Sequence, residues 1–316
     1  MKALITGIQG FAGSHLCEHL LLLGANVCGT TFPGETSLLP ETATQRITLY
    51  SCDLRDRRAC NDLLQQTTPE VIFHLAAVAF VPQARKDPTA AFDTNVVGSV
   101  NLLEAARKHS SGAKVIVISS GEVYGKVSPE EVPTDETARV QPSSFYAATK
   151  ASVELITRSY HESFDLPAAI LRPFSHIGPR QSPSFVTASF ARQIALIEAG
   201  KKEPVMTVGN LEAQRDFTDV RDMVRAYAIA AEKAESGETY NISSDTAHHI
   251  QEVLDTLLSF TSAEITVRQD PALLRPSDTP VFMGNSGKYR KLTGWKPELA
   301  FSQSLRDILD YWRQAV

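Results

Sequence analysis

The chain opens on a short apolar run, Lys2 to Thr6, followed at once by Gly7, Gly10 and Gly13. An apolar pattern of helical spacing comes next, through Leu16, Leu20, Leu21 and Leu23, and stops at Gly24. Periodicity and punctuation together predict a strand, a glycine turn and a helix. Asn26 to Thr30 predicts a second strand, and strand patterns recur at Ile47 to Tyr50, Val71 to His74 and Val115 to Ser119. Helical stretches separate them, notably Asn95 to Lys108. Strands and helices alternating at this length predict an α/β fold with a doubly wound parallel sheet, whose ligand crevice lies at the carboxyl ends of the strands.

After Arg172-Pro173 the composition turns to proline, glycine and serine as far as Ser184, which predicts a loop between two structured regions. Val186 to Gly200 then predicts a helix, Val205 to Val208 a short strand, and Arg215 a polar turn. Val220 to Ala231 predicts a helix leading to a strand at Glu238 to Ile242, and these two are expected to return to the large sheet. From about His248 the chain carries a helix through Leu258, an Arg275-Pro276-Ser277-Asp278 loop, Gly294-Trp295-Lys296-Pro297, and an amphipathic helix from Ser302. The expected organisation is a Rossmann-like dinucleotide-binding domain of residues 1–172 and 217–247. A smaller, discontinuous C-terminal domain of residues 173–216 and 248–316 is expected to hold the substrate.

A chain of 316 residues, 43% hydrophobic and 21% charged, has an ordinary globular composition and room for about two domains. The net charge of -5 offers no basic field for a polyanion, which argues against a nucleic-acid partner. No apolar run approaches the ~20 residues of a membrane helix, and Gly7 comes too soon for a signal peptide. Cys17, Cys28, Cys52 and Cys60 form no Cys-x-x-Cys pair. A cytoplasmic protein with no membrane partner is expected. His15 and His19 stand four apart on a helix and His248-His249 are adjacent, but neither pair has a third ligand, so no metal is expected.

The glycine turn points to a dinucleotide. Gly7, Gly10 and Gly13 let the backbone approach a pyrophosphate, which the first amides and positive end of the helix then face. The second strand ends on Thr30-Thr31-Phe32, without the acid that bonds the ribose of NAD and without an arginine. A neutral end does not repel a 2′-phosphate, so NADPH is expected to be accepted at least as well as NADH, with Thr30 as a contact. Asp53-Leu54, Leu75-Ala76-Ala77 and Ser119-Ser120-Gly121 follow the later strands and are expected in the crevice. Asp53 suits the adenine amino group, or a turn or helix cap.

Tyr146 and Lys150 stand four apart at the start of a helix and share one face. A lysine charge there is expected to lower the phenol from its ordinary pKa of about 10, so that Tyr146 can exchange a proton with a sugar oxygen. The Ser120 hydroxyl is placed to bond a reacting carbonyl or to stabilise its own turn. Glu122 is a candidate general base or a solvated loop acid. Arg215 and Arg275 have the fork of donors that suits the two phosphates of a nucleotide sugar, or are solvated charges. Asp278 suits the nucleotide ribose, and Trp295 suits packing.

Together, Gly7-x-x-Gly10-x-x-Gly13, His74-Leu75-Ala76-Ala77, Asn95-Val96-Val97-Gly98, Ser119-Ser120-Gly121-Glu122-Val123-Tyr124-Gly125 and Tyr146-x-x-x-Lys150 resemble the extended short-chain dehydrogenases acting on nucleotide sugars. Within that family, Phe174-Ser175-His176-Ile177-Gly178-Pro179 and the run from Gly209 to Val220 resemble most closely the GDP-4-keto-6-deoxy-D-mannose reductases. The resemblance implies Ser120, Tyr146 and Lys150 as catalytic residues and Gly7, Gly10, Gly13, Asp53 and Lys150 as cofactor contacts. It also implies reduction of the C4 ketone of a GDP-linked 4-keto-6-deoxyhexose by NAD(P)H, giving GDP-D-rhamnose, and a homodimer. Ser175 stands where the family commonly has an asparagine that contacts the substrate phosphate. Gln9-Gly10-Phe11-Ala12-Gly13 lacks the Gln-Asp-Gly of the related dehydratases, yet Glu122 sits where a dehydratase keeps its base. A 4,6-dehydratase or 4-epimerase with the same three residues is therefore the alternative, and a non-catalytic NADP-sensing protein the other.

Overall fold

The computed structural model describes residues 1–34, 36–273 and 279–316. The apolar runs of the first half become β1 (Lys2–Thr6), β2 (Asn26–Thr31), β3 (Thr48–Ser51), β4 (Val71–His74), β5 (Lys114–Ile118) and β6 (Ala168–Pro173). The second half adds β7 (Ser175–Ile177), β8 (Val205–Val208), β9 (Gln214–Asp219), β10 (Thr239–Ile242), β11 (Ala247–His249), β12 (Thr266–Gln269) and β13 (Val281–Phe282). Seven of these form one sheet in the order β3-β2-β1-β4-β5-β6-β10, and every pairing in it is parallel. Its inner strands read as unbroken apolar runs because helices cover both faces. On one face Leu16 and Leu20 of the helix Phe11–Leu22 pack with Val224 and Tyr227 of the helix Val220–Lys233. On the other, Leu63, Leu102, Leu103 and Val153 come from the helices Arg57–Thr67, Gly98–His109 and Phe145–Phe164. Strand order reverses between β1 and β4, which opens a crevice at their carboxyl ends.

The helix Val220–Lys233 and β10 rejoin this sheet, β10 pairing with β6 from Thr239↔Ile170 to Ile242↔Pro173. The remaining strands build a smaller lobe around β9, which is flanked by antiparallel β11 and parallel β7 and β13. Phe190, Ile194, Leu254, Leu305 and Ile308 fill its separate core. Tyr289 and Trp295 instead pack into the core under the large sheet, and the Trp295 indole donates to the Asp222 carbonyl at 3.1 Å.

Three local expectations need correction. Arg215 lies within β9 rather than in a turn: Gln-Arg-Asp-Phe-Thr-Asp has no apolar alternation, and the strand exists because neighbours pair with both its edges. Ser175 to Ile177, read as loop, form β7 through pairing with β9 at Phe217 to Asp219. Asn95 does not begin a regular helix but sits in a π-helical turn, Asp93–Val97, ahead of Gly98–His109. Its buried amide bonds the Val78 backbone at 2.7 and 3.3 Å and the Thr149 hydroxyl at 2.9 Å, so it ties the loop after β4 to the helix carrying Tyr146.

Candidate active site

The carboxyl ends of the central strands open into a cavity of about 840 Å³. Its floor is the glycine turn. Gly7 has φ +70°, and a Cβ there would stand 2.9 Å from the Ala76 backbone. A Cβ on Gly13 would meet the Gly7 carbonyl oxygen at 2.2 Å. The helix Phe11–Leu22 starts from Gly10 with no side-chain cap, so its leading amides are left for another acceptor. A turn stripped of side chains in front of uncapped amides fits a pyrophosphate. Gly10, Leu54, Leu75, Ala76 and Ala77 line the same cavity. Thr30 lines it too, but its hydroxyl accepts from the Gly7 amide at 3.3 Å and so serves the turn itself. His74 braces the wall, its ring bonded to the Thr6 hydroxyl at 2.8 Å and to the Ser99 hydroxyl at 2.7 Å. Burial, with Lys150 adding to it, holds His74 down to about 3, so the imidazole is neutral.

The reactive corner is assembled by β5 and the helix Phe145–Phe164. Ser144 caps that helix, accepting from the Ala147 amide at 3.1 Å, which puts Tyr146 in its first turn and Lys150 one turn on. Ser120, two residues beyond β5, accepts from the Glu122 amide at 3.1 Å and stands near enough to Tyr146 to favour its phenolate. The turn-stabilising role read for Ser120 is therefore present. The Lys150 ammonium donates to the Ile118 carbonyl at 2.6 Å. One turn further, Glu154 accepts from the Ser119 hydroxyl at 2.5 Å and from Arg172 at 2.9 and 2.6 Å. Arg172 also donates to the Tyr124 hydroxyl at 2.8 Å.

Here the expected effect of Lys150 on Tyr146 is corrected. Burial pushes the phenol well above its ordinary range, and the negative charge of Glu122 adds to this, while only the Ser120 hydrogen bond pulls it down. Lys150 is itself lowered to about 8 by burial, against the opposing charge of Glu154, and is directed at Ile118. Desolvation dominates, so Tyr146 stays a protonated phenol at neutral pH. That is the state required of a proton donor.

Glu122 lines the cavity beside this corner, and the smaller lobe brings Ser175 from β7 and Arg215 from β9 to its other side. Arg215 Nη1 donates to the Gln214 and Thr279 carbonyls, each at 2.8 Å. Arg275 and Asp278 lie outside the described residues. Asp53 lines the cavity with its carboxylate held by Arg55 through bonds of 2.7 to 3.1 Å, which keeps it below the usual carboxylate range. The sequence reading missed Arg55 and Tyr227 in this lining. Arg55, two residues past Asp53 on the same loop, was within reach of it, whereas nothing local marks Tyr227, which arrives on the returning helix.

A glycine-floored dinucleotide crevice beside a serine, tyrosine and lysine defines an oxidoreductase of the extended short-chain type. The chain belongs to the family described as GDP-mannose 4,6 dehydratase, whose model matches residues 4–308. It is 33% identical over 315 residues to GDP-6-deoxy-D-mannose reductase of Pseudomonas aeruginosa, covering 100% of this chain and 98% of that one. It is 29% identical to GDP-mannose 4,6 dehydratase 2 of Arabidopsis thaliana, covering 98% and 86%. Among solved structures, RMD from Pseudomonas aeruginosa complexed with NADPH superposes with TM-score 0.88 at 31% identity, covering 100% of both chains. UDP-glucose 4-epimerase of Thermus thermophilus with NAD does so with TM-score 0.89 at 30% identity, again covering 100% of both.

Lys150 carries its charge below its pKa and loses it above, so kcat/KM, which reports the free enzyme, should fall as pH rises through about 8. A pH profile of kcat/KM checks this, and a plateau extending to about pH 10, the ordinary lysine range, would contradict it.

Proposed function

We propose that this chain reduces the C4 ketone of a GDP-linked 4-keto-6-deoxyhexose with NADPH, NADH being a possible substitute, and that GDP-D-rhamnose is the product. The observation that carries this reading is that Ser120, Tyr146 and Lys150 line one wall of a cavity with a glycine floor. Whole-length likeness to a GDP-6-deoxy-D-mannose reductase and to RMD with NADPH supports the choice of sugar and cofactor. The nicotinamide, when bound, supplies the hydride. Ser120 donates to the ketone oxygen, Tyr146 gives that oxygen its proton, and the Lys150 ammonium favours the phenolate left behind and holds the nicotinamide ribose. In this division of labour residues 1–172 and 217–247 hold the cofactor, and residues 173–216 and 248–316 hold the sugar nucleotide through Ser175, Arg215, Arg275 and Asp278.

Glu122 favours a second reading. Its carboxylate stands close enough to Tyr146 to raise the phenol, and a 4,6-dehydratase needs a base there to take the C5 proton. Two variants separate the readings. Tyr146→Phe should retain cofactor binding and lose at least about 100-fold in turnover under either. Glu122→Gln should cost a reductase under roughly 30-fold, because a neutral amide keeps the shape of the acid, but should abolish a dehydratase. Formation of a 4-keto sugar from GDP-mannose, lost in Glu122→Gln, would overturn the reductase reading.

The working form we propose is a homodimer. The helix Phe145–Phe164 leaves Leu155 69% exposed, and Phe92 and Val97, just ahead of the helix Gly98–His109, are exposed as well. Exposed apolar side chains of this kind are suited to burial against a second copy of the chain. Light scattering should give about twice the 34.5 kDa chain mass, and Leu155→Glu about one chain; a monomeric parent protein would rule this out. Four free, buried thiols support a reducing cytoplasm as the setting. Cell fractionation checks that assignment, and recovery from an oxidising compartment would refute it.

A further inference from the structure

The end of β2 carries no charge with which to read a dinucleotide ribose, and the fold supplies one from the neighbouring strand. β2 and β3 pair in parallel from Cys28↔Thr48 to Thr31↔Ser51, so the loop leaving β3 at residues 52–56 runs beside Thr31 and Phe32. Arg55 in that loop lines the cofactor cavity. Its guanidinium carbon lies 5.4 Å from the centroid of the Phe32 ring, and its side chain is 43% exposed. In a doubly wound sheet this corner receives the adenosine ribose, and charge there discriminates a 2′-hydroxyl from a 2′-phosphate.

We propose that Arg55 recognises the 2′-phosphate of NADPH, an inference that deepens the cofactor assignment above and rests on it. Three cationic side chains line the cavity among the described residues: Arg55, Lys150 and Arg215. Lys150 is bound to Ile118 in the reactive corner, and Arg215 belongs to β9 in the smaller lobe. Thr30 is uncharged, and its hydroxyl accepts from the Gly7 amide. Among the described cationic residues lining the cavity, Arg55 is the one at the ribose end.

Its geometry suits the task. Asp53 takes the Nε and Nη2 edge of the guanidinium, at 2.9 and 3.1 Å from Nε and 2.7 Å from Nη2. Its carbon sits over the face of the Phe32 ring. Among the described residues no group bonds Nη1, so one edge of an oriented guanidinium is available to a phosphate oxygen. An exposed pair such as Arg55 and Asp53 contributes little to stability, so its effect is chiefly to hold the arginine in one orientation. Asp53 and Asp93 are the acids close enough to act on Arg55, and they temper its field without cancelling it.

The test is titration calorimetry of the full chain with two probes, adenosine 2′,5′-bisphosphate and 5′-AMP. The parent protein should bind the bisphosphate at least about 10-fold more tightly, as one charge-assisted contact allows. Arg55→Gln should bring the ratio to near one by weakening only the bisphosphate, and Arg55→Lys, with a point charge and no fork, should fall between. A parent ratio above about 10 that persists in Arg55→Gln would overturn the role of Arg55 and leave the NADPH assignment standing. A parent ratio near one would overturn that assignment, and the inference with it. The exposed position makes both variants foldable, and their unfolding curves should match the parent.

Discussion

Glu154 and Arg172 face each other across two hydrogen bonds in the interior, with side chains 4% and 2% exposed. A buried charge pair persists only if its remaining donors and acceptors are answered, and here they are. Ser119 bonds the carboxylate, Tyr124 takes the other arm of the guanidinium, and Tyr124 in turn donates to Asn241 of β10 at 2.8 Å. The pair thus joins the helix Phe145–Phe164 to the ends of β5, β6 and β10. Two consecutive residues at the end of β5 hold that helix: the Ile118 carbonyl at Lys150 and Ser119 at Glu154. Removing either charge would strand the other in the core. The relative placement of the reactive groups is therefore a property of the fold rather than of a mobile loop.

The same burial sets the chemistry. It drives both members of the Tyr146 and Lys150 pair toward neutrality, raising the phenol and lowering the ammonium. A proton donor kept protonated, beside a lysine whose charge is only modestly held, suits the delivery of a proton to a ketone oxygen as hydride arrives. Glu154 is what keeps the lysine from falling further. Glu122 acts in the same sense on Tyr146, which gives it a place in the site whether or not it ever takes a proton.

Local features were legible in the sequence, and features made by distant pairing were not. The glycine turn and the four-residue spacing of Tyr146 and Lys150 are fixed by short-range geometry. So are the strand ends that carry Leu75-Ala76-Ala77 and Ser120, and all of these line one cavity. Arg215 was placed in a turn because the polar run Gln-Arg-Asp-Phe-Thr-Asp gives no strand period; partners from residues 247–249 and 281–282 make it a strand. Arg55 went unnoticed because a search at the end of β2 looks along the chain, whereas the parallel register brings the next strand's loop to the same corner. The pKa of Tyr146 was misjudged for a related reason. Helical spacing shows that a lysine is near, but not that burial outweighs it.

Net reduction at C4 can be followed by isotope transfer. The chain would be given a GDP-linked 4-keto-6-deoxyhexose and NADPH carrying deuterium at both positions of nicotinamide C4, with the product and oxidised cofactor analysed together. Net reduction predicts deuterium at C4 of the hexose and one oxidised cofactor for each sugar formed. It would be contradicted if the 4-keto sugar gained no deuterium and the NADPH was not consumed.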